Sequence, residues 1–145
     1  SKTYGYYVET GDKKNVFERK YVYGWGKKLD VEAMRQAAEF LIGEHDFKSF
    51  CANRRMKKST VRRIDEIRIV EHGTKLELLY TGNGFLYNMV RILTGTLLEV
   101  GSGTRRPEEM KGIIEAKNRD MAGRTAPPEG LFLLHVDYEG ERKTV

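Results

Sequence analysis

The long apolar segment at residues 85–100 constrains the fold of this chain more than any other feature. Its apolar side chains recur at helical spacing, and Gly101 follows as a helix stop. The segment is too long for a strand and shorter than the roughly 20 residues needed to span a bilayer. The sequence therefore predicts a buried helix that other elements must cover, and we expect no transmembrane segment.

Strand and helix patterns alternate around this segment. A turn at residues 72–73 predicts an antiparallel hairpin, and a turn at residues 82–84 precedes the buried helix. We expect a bulge near Asp65 in the first strand of the hairpin. The sequence predicts strands at residues 3–8, 17–23, 61–70, 75–80 and 131–138, with further helices from Asp30 to Ile42 and from Pro107.

The order of these elements, β-β-α-β-β-α-α-β, predicts the fold class. Strand pairs interleaved with helices favour an α+β fold, with an antiparallel-rich mixed sheet and helices packed on one face. No internal repeat or linker divides the 145 residues, so we expect a single domain over residues 1–145. Since a strand begins at once, without a lead-in, we also expect the chain to be part of a longer protein.

Basic residues are concentrated in one part of the chain. The formal net charge is +5, from 26 Lys and Arg against 21 Asp and Glu. Six of the cations, with no acid among them, form what we call the basic segment: Arg54, Arg55, Lys57, Lys58, Arg62 and Arg63. Such a cluster is typical of a polyanion site, because each neutralised phosphate releases counterions. A solvated basic loop explains the pattern equally well, so both interpretations stay open.

Cysteine and histidine give no sign of a metal site. Cys51 is the single cysteine and cannot form an internal disulfide, and the three histidines are scattered. Residues 44–47, Glu-His-Asp-Phe, place a histidine beside two carboxylates, but their adjacent spacing favours a structural role at the end of the first helix. We therefore expect a metal-free protein with a cytoplasmic location.

Arg91 is the single cation in the apolar segment. Helical geometry places it on one stripe with Tyr87, Asn88, Thr94 and Gly95. Thr94 and Gly95 are small, so another backbone or a ligand could approach closely there. A guanidinium at this place would suit a carboxylate that the segment itself lacks. The pattern alone nevertheless favours an arginine at the solvated edge of a core helix.

The first strand is rich in tyrosine. Alternation places Tyr4 and Tyr6 on one face of the strand and Tyr7 on the other. Aromatic side chains on an exposed sheet face can stack on unpaired bases, at about 1–3 kcal/mol per base. Cross-strand packing is the commoner use of such tyrosines, so this alternative also stays open.

Seven short motifs occur in a fixed order, at residues 1–7, 29–34, 43–50, 61–64, 84–91, 95–101 and 122–131. They include Gly-Phe-Leu-Tyr-Asn-Met-Val-Arg at 84–91 and Ala-Gly-Arg-Thr-Ala-Pro-Pro-Glu-Gly-Leu at 122–131. Taken in order, the motifs resemble the tRNA pseudouridine synthase A (TruA) family over essentially the whole chain. Each motif alone is weak, but the ordered series is specific.

The resemblance implies a fold, a reaction and partners. The fold is the C-terminal half of a pseudouridine synthase, and the reaction isomerises uridines to pseudouridine in the anticodon stem-loop of tRNA, without a cofactor. The family's enzymes are homodimers whose catalytic Asp lies in a Gly-Arg-Thr-Asp segment, upstream of the point where this chain starts. Gly-Arg-Thr at 123–125 is followed by Ala126 and is not that segment. We therefore expect this chain to be inactive alone.

The resemblance also implies roles for two residues. Tyr4 matches the tyrosine that stacks on the target base and assists proton removal at its C5. Arg91 matches the arginine that pairs with the catalytic Asp, which favours a functional interpretation of this residue. The competing hypothesis is a non-catalytic RNA-binding module that uses the basic segment and an aromatic sheet face.

Overall fold

The computed structural model describes residues 1–12 and 21–136. The strands of this part are β1 (Lys2–Glu9), β2 (Tyr23–Gly24), β3 (Gly43–Asp46), β4 (Val61–His72), β5 (Lys75–Gly82) and β6 (Leu131–Val136). The helices are α1 (Val31–Glu39), α2 (Met89–Gly101) and α3 (Glu109–Ala116). Short 3-10 turns lie at Lys48–Phe50, Arg119–Met121 and Pro128–Gly130.

Strand β1 lies inside the sheet and is paired along both of its edges. On one edge β5 pairs with it antiparallel, from Lys2 opposite Gly82 to Glu9 opposite Lys75. On the other edge lie β6, which is antiparallel, and the short β2, which is parallel. β4 and β3 extend the sheet beyond β5, in the order β2-β1-β5-β4-β3. The predicted α+β fold with an antiparallel-rich mixed sheet is confirmed.

The hairpin of β4 and β5 forms as the sequence predicts. Gly73 in its turn has a φ of +63°, a backbone conformation that favours glycine. The pairing register shifts between Ile64 and Glu66, which confirms the bulge predicted near Asp65. Alternate residues of β5 are buried, so one face of the hairpin contributes to the core.

Helices α1 and α2 pack against each other, and each also contacts the sheet. α1 begins after Asp30, whose side chain accepts a hydrogen bond from the amide of Ala33 as an N-cap. α2 is buried along most of its length and lies in the centre of the core. The prediction of a buried helix in the apolar segment is therefore confirmed.

Several boundaries differ from the sequence prediction. The helix predicted to reach Ile42 ends at Glu39, and the helix predicted from Pro107 begins at Glu109.

Two further differences have a clear backbone cause. α2 begins at Met89 rather than at residue 85, because Asn88 has a φ of +58° and a left-handed residue cannot continue a right-handed helix. Residues 43–46, which the sequence places as a cap just past the first helix, form strand β3. Gly43, with a φ of +104°, redirects the chain, and β3 then pairs with residues 61–64 of β4. In the predicted strand at residues 17–23, residues 17–20 lie outside the described residues, and the prediction is wrong at residues 21–22, because β2 begins only at Tyr23. Residues 137–138 of the last predicted strand also lie outside the described residues.

Tyr80 of β5 joins the sheet to α2 through a hydrogen bond in the core. Its side chain is fully buried, and its hydroxyl lies 2.7 Å from Oγ1 of Thr94. Because Thr94 donates its own hydroxyl proton to the carbonyl of Val90, Tyr80 is the donor of this bond. Burial raises the pKa of Tyr80 well above the usual value for tyrosine.

We predict that Tyr80→Phe lowers the free energy of unfolding by about 1 kcal/mol at neutral pH, since it removes this hydrogen bond while Thr94 keeps its bond to Val90. The neutral hydroxyl contributes stability that is fully present below about pH 10 and is lost as the pH rises toward the raised folded pKa. Tyr80→Phe should therefore also flatten the alkaline fall in stability, measured by urea unfolding across that range.

Tyr87→Phe is the matched control, because the side chain of Tyr87 is exposed. We expect this control to unfold like the wild-type chain at both neutral and alkaline pH. Equal behaviour of the two variants would contradict the assigned bond.

Candidate active site and basic segment

Tyr4 and Arg91 line one small cleft. Tyr4 belongs to the first half of β1, and Arg91 lies in the first turn of α2. The cleft has a volume of about 120 Å³, and its other lining residues include Phe85, Asn88 and Leu131. The fold thus brings together two residues that are separated by more than half of the chain.

The guanidinium of Arg91 is held by two hydrogen bonds. Its Nε donates to the carbonyl of Ala126 at 2.7 Å, and its Nη1 donates to Oδ1 of Asn88 at 3.2 Å. The backbone carbonyl of Arg91 accepts a further bond from the amide of Ala126 at 2.9 Å. Among residues 1–12 and 21–136, no carboxylate lies within ion-pair distance of Arg91. The guanidinium is therefore oriented and keeps donors for an anion.

The segment at residues 124–127 packs on α2 where Gly95 leaves room for it. A Cβ at Gly95 would overlap the carbonyl oxygen of Arg124. Tyr6, which is fully buried, donates its hydroxyl proton to the carbonyl of Pro127 at 2.5 Å. The segment is thus fixed against both α2 and β1, and the prediction that small residues of the helix admit another backbone is confirmed.

The three tyrosines of β1 have different surroundings. Tyr4 is partly buried, and its ring meets that of Phe85 edge-on, with centroids 5.3 Å apart. Tyr6 belongs to the core and is too buried to stack on a base. Tyr7, on the opposite face, stacks on Phe132 with centroids 4.4 Å apart. Packing therefore accounts for Tyr6 and Tyr7, whereas Tyr4 borders an open cleft.

The six cations of the basic segment are not equally available to an anion. Arg54 pairs with Asp120 at 2.6 Å, and Arg63 pairs with Asp65 at 2.7 Å. Arg62 donates to two nearby backbone carbonyls. The cations that are exposed and have no ion-pair partner in the described part of the chain are Arg55, Lys57 and Lys58. The segment therefore presents fewer unpaired charges than its composition indicates.

Other side chains considered from the sequence have structural surroundings. A ring nitrogen of His45 lies 2.9 Å from the carbonyl of Ile42, and its ring packs edge-on against Phe47. Cys51 is buried. Within the described residues, no three His, Cys, Asp or Glu side chains group together as metal ligands would. In that same part, every helix is too short or too polar to cross a membrane.

Comparison with known proteins identifies the family of this chain. A family model described as tRNA pseudouridine synthase matches residues 37–139, which is more than half of the chain. The chain therefore belongs to the tRNA pseudouridine synthase family. The resemblance seen in the seven motifs is confirmed.

The chain is similar to bacterial proteins named tRNA pseudouridine synthase A. It is 51% identical over 138 residues to that of Anoxybacillus flavithermus and 49% identical over 138 residues to that of Bacillus subtilis. The protein of Oceanobacillus iheyensis is 44% identical over 139 residues. These alignments cover 95% of this chain but only 55–56% of each relative. The chain thus spans about half the length of the curated relatives it matches.

We predict that Gly95→Ala lowers the free energy of unfolding by about 1–3 kcal/mol, because the added methyl group displaces the backbone at Arg124. Gly112 in α3 has no atom within 4 Å of the place that a Cβ would take. Gly112→Ala is therefore the matched control, and its helix propensity should raise the free energy of unfolding by about 0.5–1 kcal/mol. Urea unfolding measures both, and two changes of the same sign would contradict the role of Gly95.

Proposed function

We propose that this chain supplies part of the active site of a tRNA pseudouridine synthase, an isomerase that converts uridines in the anticodon stem-loop of tRNA to pseudouridine. The observation that carries the proposal is the single cleft lined by Tyr4 and Arg91. The family match and the names of the relatives support both the reaction and tRNA as the substrate. Residues 1–145 would form one domain, the C-terminal half of the enzyme.

The reaction rearranges bonds within one nucleotide. The bond from C1′ to N1 of the uracil breaks, the base turns, and a bond from C1′ to C5 forms. C5 loses a proton and N1 ends with one, so substrate and product have the same composition and no oxidant, reductant or cofactor is needed. The uridine must first leave the base stack, which costs a few kcal/mol in such enzymes.

Arg91 acts in this proposal as the positioning residue for the catalytic Asp. An adjacent guanidinium favours the charged form of a carboxyl group and presents paired donors to its two oxygens. The bonds to Ala126 and Asn88 already orient that guanidinium, so little side-chain freedom is lost when the carboxylate binds. The Asp itself would come from a Gly-Arg-Thr-Asp segment outside this chain. In this proposal the chain alone is therefore inactive.

Tyr4 is the group that stacks on the target uracil in this proposal. Its ring lines the cleft beside Arg91, and the edge-on contact with Phe85 limits its rotation. Stacking on an aromatic ring contributes about 1–3 kcal/mol per base and accepts any base, so Tyr4 would hold an unstacked uridine near the reacting groups. Its hydroxyl would also assist the loss of the proton at C5.

The basic segment would bind the phosphate backbone of the tRNA. Its exposed members Arg55, Lys57 and Lys58 support this use most directly, because no ion pair in the described part of the chain engages them. Arg54, Arg62 and Arg63 would contribute after exchanging their present partners. We also propose that the complete enzyme is a cytoplasmic homodimer, as the family resemblance implies.

A non-catalytic RNA-binding module is the competing proposal. The exposed cations would serve it equally well, and the stack of Tyr7 on Phe132 gives it an aromatic face. The two proposals differ at Arg91, which a module of this kind would not require.

We predict that Arg91→Gln in the full-length enzyme lowers kcat on an anticodon stem-loop about 10²–10³-fold, the range observed when an aligned electrostatic group is removed. The dissociation constant of the RNA complex should change by no more than about twofold, since the cleft and the basic segment remain. Arg68→Gln, at an exposed position of β4, is the control for loss of a positive charge. Unchanged turnover in Arg91→Gln would contradict the role assigned to Arg91, whereas a full-length wild-type protein that binds RNA without turnover would favour the binding module. Pseudouridine formed by the isolated chain would contradict the missing Asp.

We predict that the double substitution Lys57→Gln and Lys58→Gln weakens RNA binding by this chain. The slope of log affinity against log salt should fall by about 0.7–0.9 for each phosphate that the variant no longer neutralises. The matched control is Lys27→Gln with Lys28→Gln, which removes two exposed lysines elsewhere. Fluorescence anisotropy across a salt series measures the slope for each double variant. Identical slopes would indicate that the basic segment is a solvated loop that does not bind RNA.

A further inference from the structure

A second concavity adjoins the basic segment. It has a volume of about 440 Å³ and lies between the Arg119–Met121 turn and the chain around Ala52. Its charged lining residues define what we call the arginine groove: Arg54, Glu99, Arg119, Asp120 and Arg124. Arg54 belongs to both the groove and the basic segment, so the two surfaces are continuous.

The two carboxylates of the arginine groove are already engaged. Asp120 pairs with Arg54 at 2.6 Å, and Glu99 pairs at 3.2 Å with Arg105, which is not one of the lining residues. In the described part of the chain, no ion pair remains for Arg119 or Arg124. The groove therefore carries positive charge that its own acids do not neutralise.

Arg119 is the more buried of these two unpaired cations, and its side chain makes a hydrogen bond. Its side chain is partly buried, and Nη2 donates to Oγ1 of Thr125 at 3.2 Å, which sets the direction of the guanidinium. Burial lowers the pKa of Arg119 from its ordinary value, and the positive charge of Arg54 lowers it further. The carboxylates of Asp120 and Glu99 oppose this shift in the pKa without cancelling it. A cation in such surroundings is stabilised by an added anion, because the anion replaces lost hydration and offsets the repulsion.

The pair of Arg54 and Asp120 can open when an anion arrives. Both side chains are largely exposed, and exposed ion pairs are weak because water and salt screen them. Asp120 is therefore a weak partner for Arg54, and another anion can replace it in the groove. A phosphate that displaced this carboxylate would meet three guanidinium groups, whose paired donors match phosphate oxygens.

We propose that the arginine groove binds a phosphate of the RNA backbone, with Arg119 and Arg124 as its donors and Arg54 released from Asp120. The proposal rests on the proposed function, because RNA is the polyanion that would also cover the basic segment. Continuity through Arg54 is the argument for a polymer over a small anion, since one chain of phosphates can follow both surfaces.

The test measures binding of a fluorescent anticodon stem-loop RNA to this chain across a salt series. Arg119→Gln and Arg124→Gln should each weaken binding and lower the salt slope by about 0.7–0.9. The loss of affinity between about 50 and 200 mM salt should then be smaller by about threefold for each variant. Arg68→Gln is the matched control, and Arg124→Gln is the safer variant for folding because its side chain is exposed and makes no hydrogen bond within the described residues.

Asp120→Asn gives a test of opposite sign. It removes the carboxylate that competes for Arg54, so RNA should bind more tightly, by up to about fivefold, which is the limit set by the strength of an exposed ion pair. Glu115→Gln makes the same change of charge at an exposed position of α3, outside the groove, and should have a smaller effect. If the two acidic variants had equal effects, the change in net charge alone would explain the gain in affinity. The role given to Asp120 would then be wrong.

Three further outcomes would overturn the proposal. Arg119→Gln and Arg124→Gln could bind RNA like Arg68→Gln, or the wild-type chain could bind no RNA. A polyglutamate of equal charge could also bind as tightly as RNA with the same dependence on Arg119, which would assign the groove to an acidic polypeptide. None of these outcomes touches the turnover test at Arg91, so failure of the groove and failure of the proposed function are separate results.

Discussion

The reciprocal bonding between Arg91 and Ala126 is the interaction on which the candidate site depends. The side chain of Arg91 donates to the Ala126 carbonyl, and the amide of Ala126 donates back to the Arg91 carbonyl. The helix that carries the guanidinium and the segment that aligns it therefore hold each other. The close contact at Gly95 and the bond from Tyr6 to Pro127 join this unit to the sheet, so core packing and site geometry have one origin.

Local chemistry determines the parts of the fold that the sequence predicts well. The hairpin turn at Gly73, the N-cap at Asp30 and the buried helix each depend on neighbours within a few residues. Strand β3 does not, because Gly43–Asp46 has no apolar alternation and is defined by its pairing with β4. The late start of α2, at Met89 instead of residue 85, is missed for a related reason. Many residue types precede helices, and only the backbone reveals the left-handed conformation of Asn88.

Sequence patterns predict the candidate site less well than they predict the fold. Neither spacing nor periodicity relates Tyr4 to Arg91, and the family resemblance was the only sequence signal that joined them. The partner of Arg54 is equally distant, because Asp120 lies 66 residues away in the sequence. Arg63 is the exception, since Asp65 follows it closely enough for the pair to be inferred. Charge counting locates a basic surface but overstates how much of it is unpaired.

The pairing of β1 on both edges has a consequence for how a substrate would be accommodated. Tyr4 lies opposite Tyr80 on one neighbouring strand and Leu133 on the other, so its backbone can shift only if two hydrogen-bonded ladders break together. The strand that carries Tyr4 is therefore a fixed part of the sheet. If Tyr4 stacks on uridine as we propose, adjustment to the unstacked nucleotide must come from the RNA and from side-chain rotation, and the backbone at Tyr4 keeps the same geometry for each uridine.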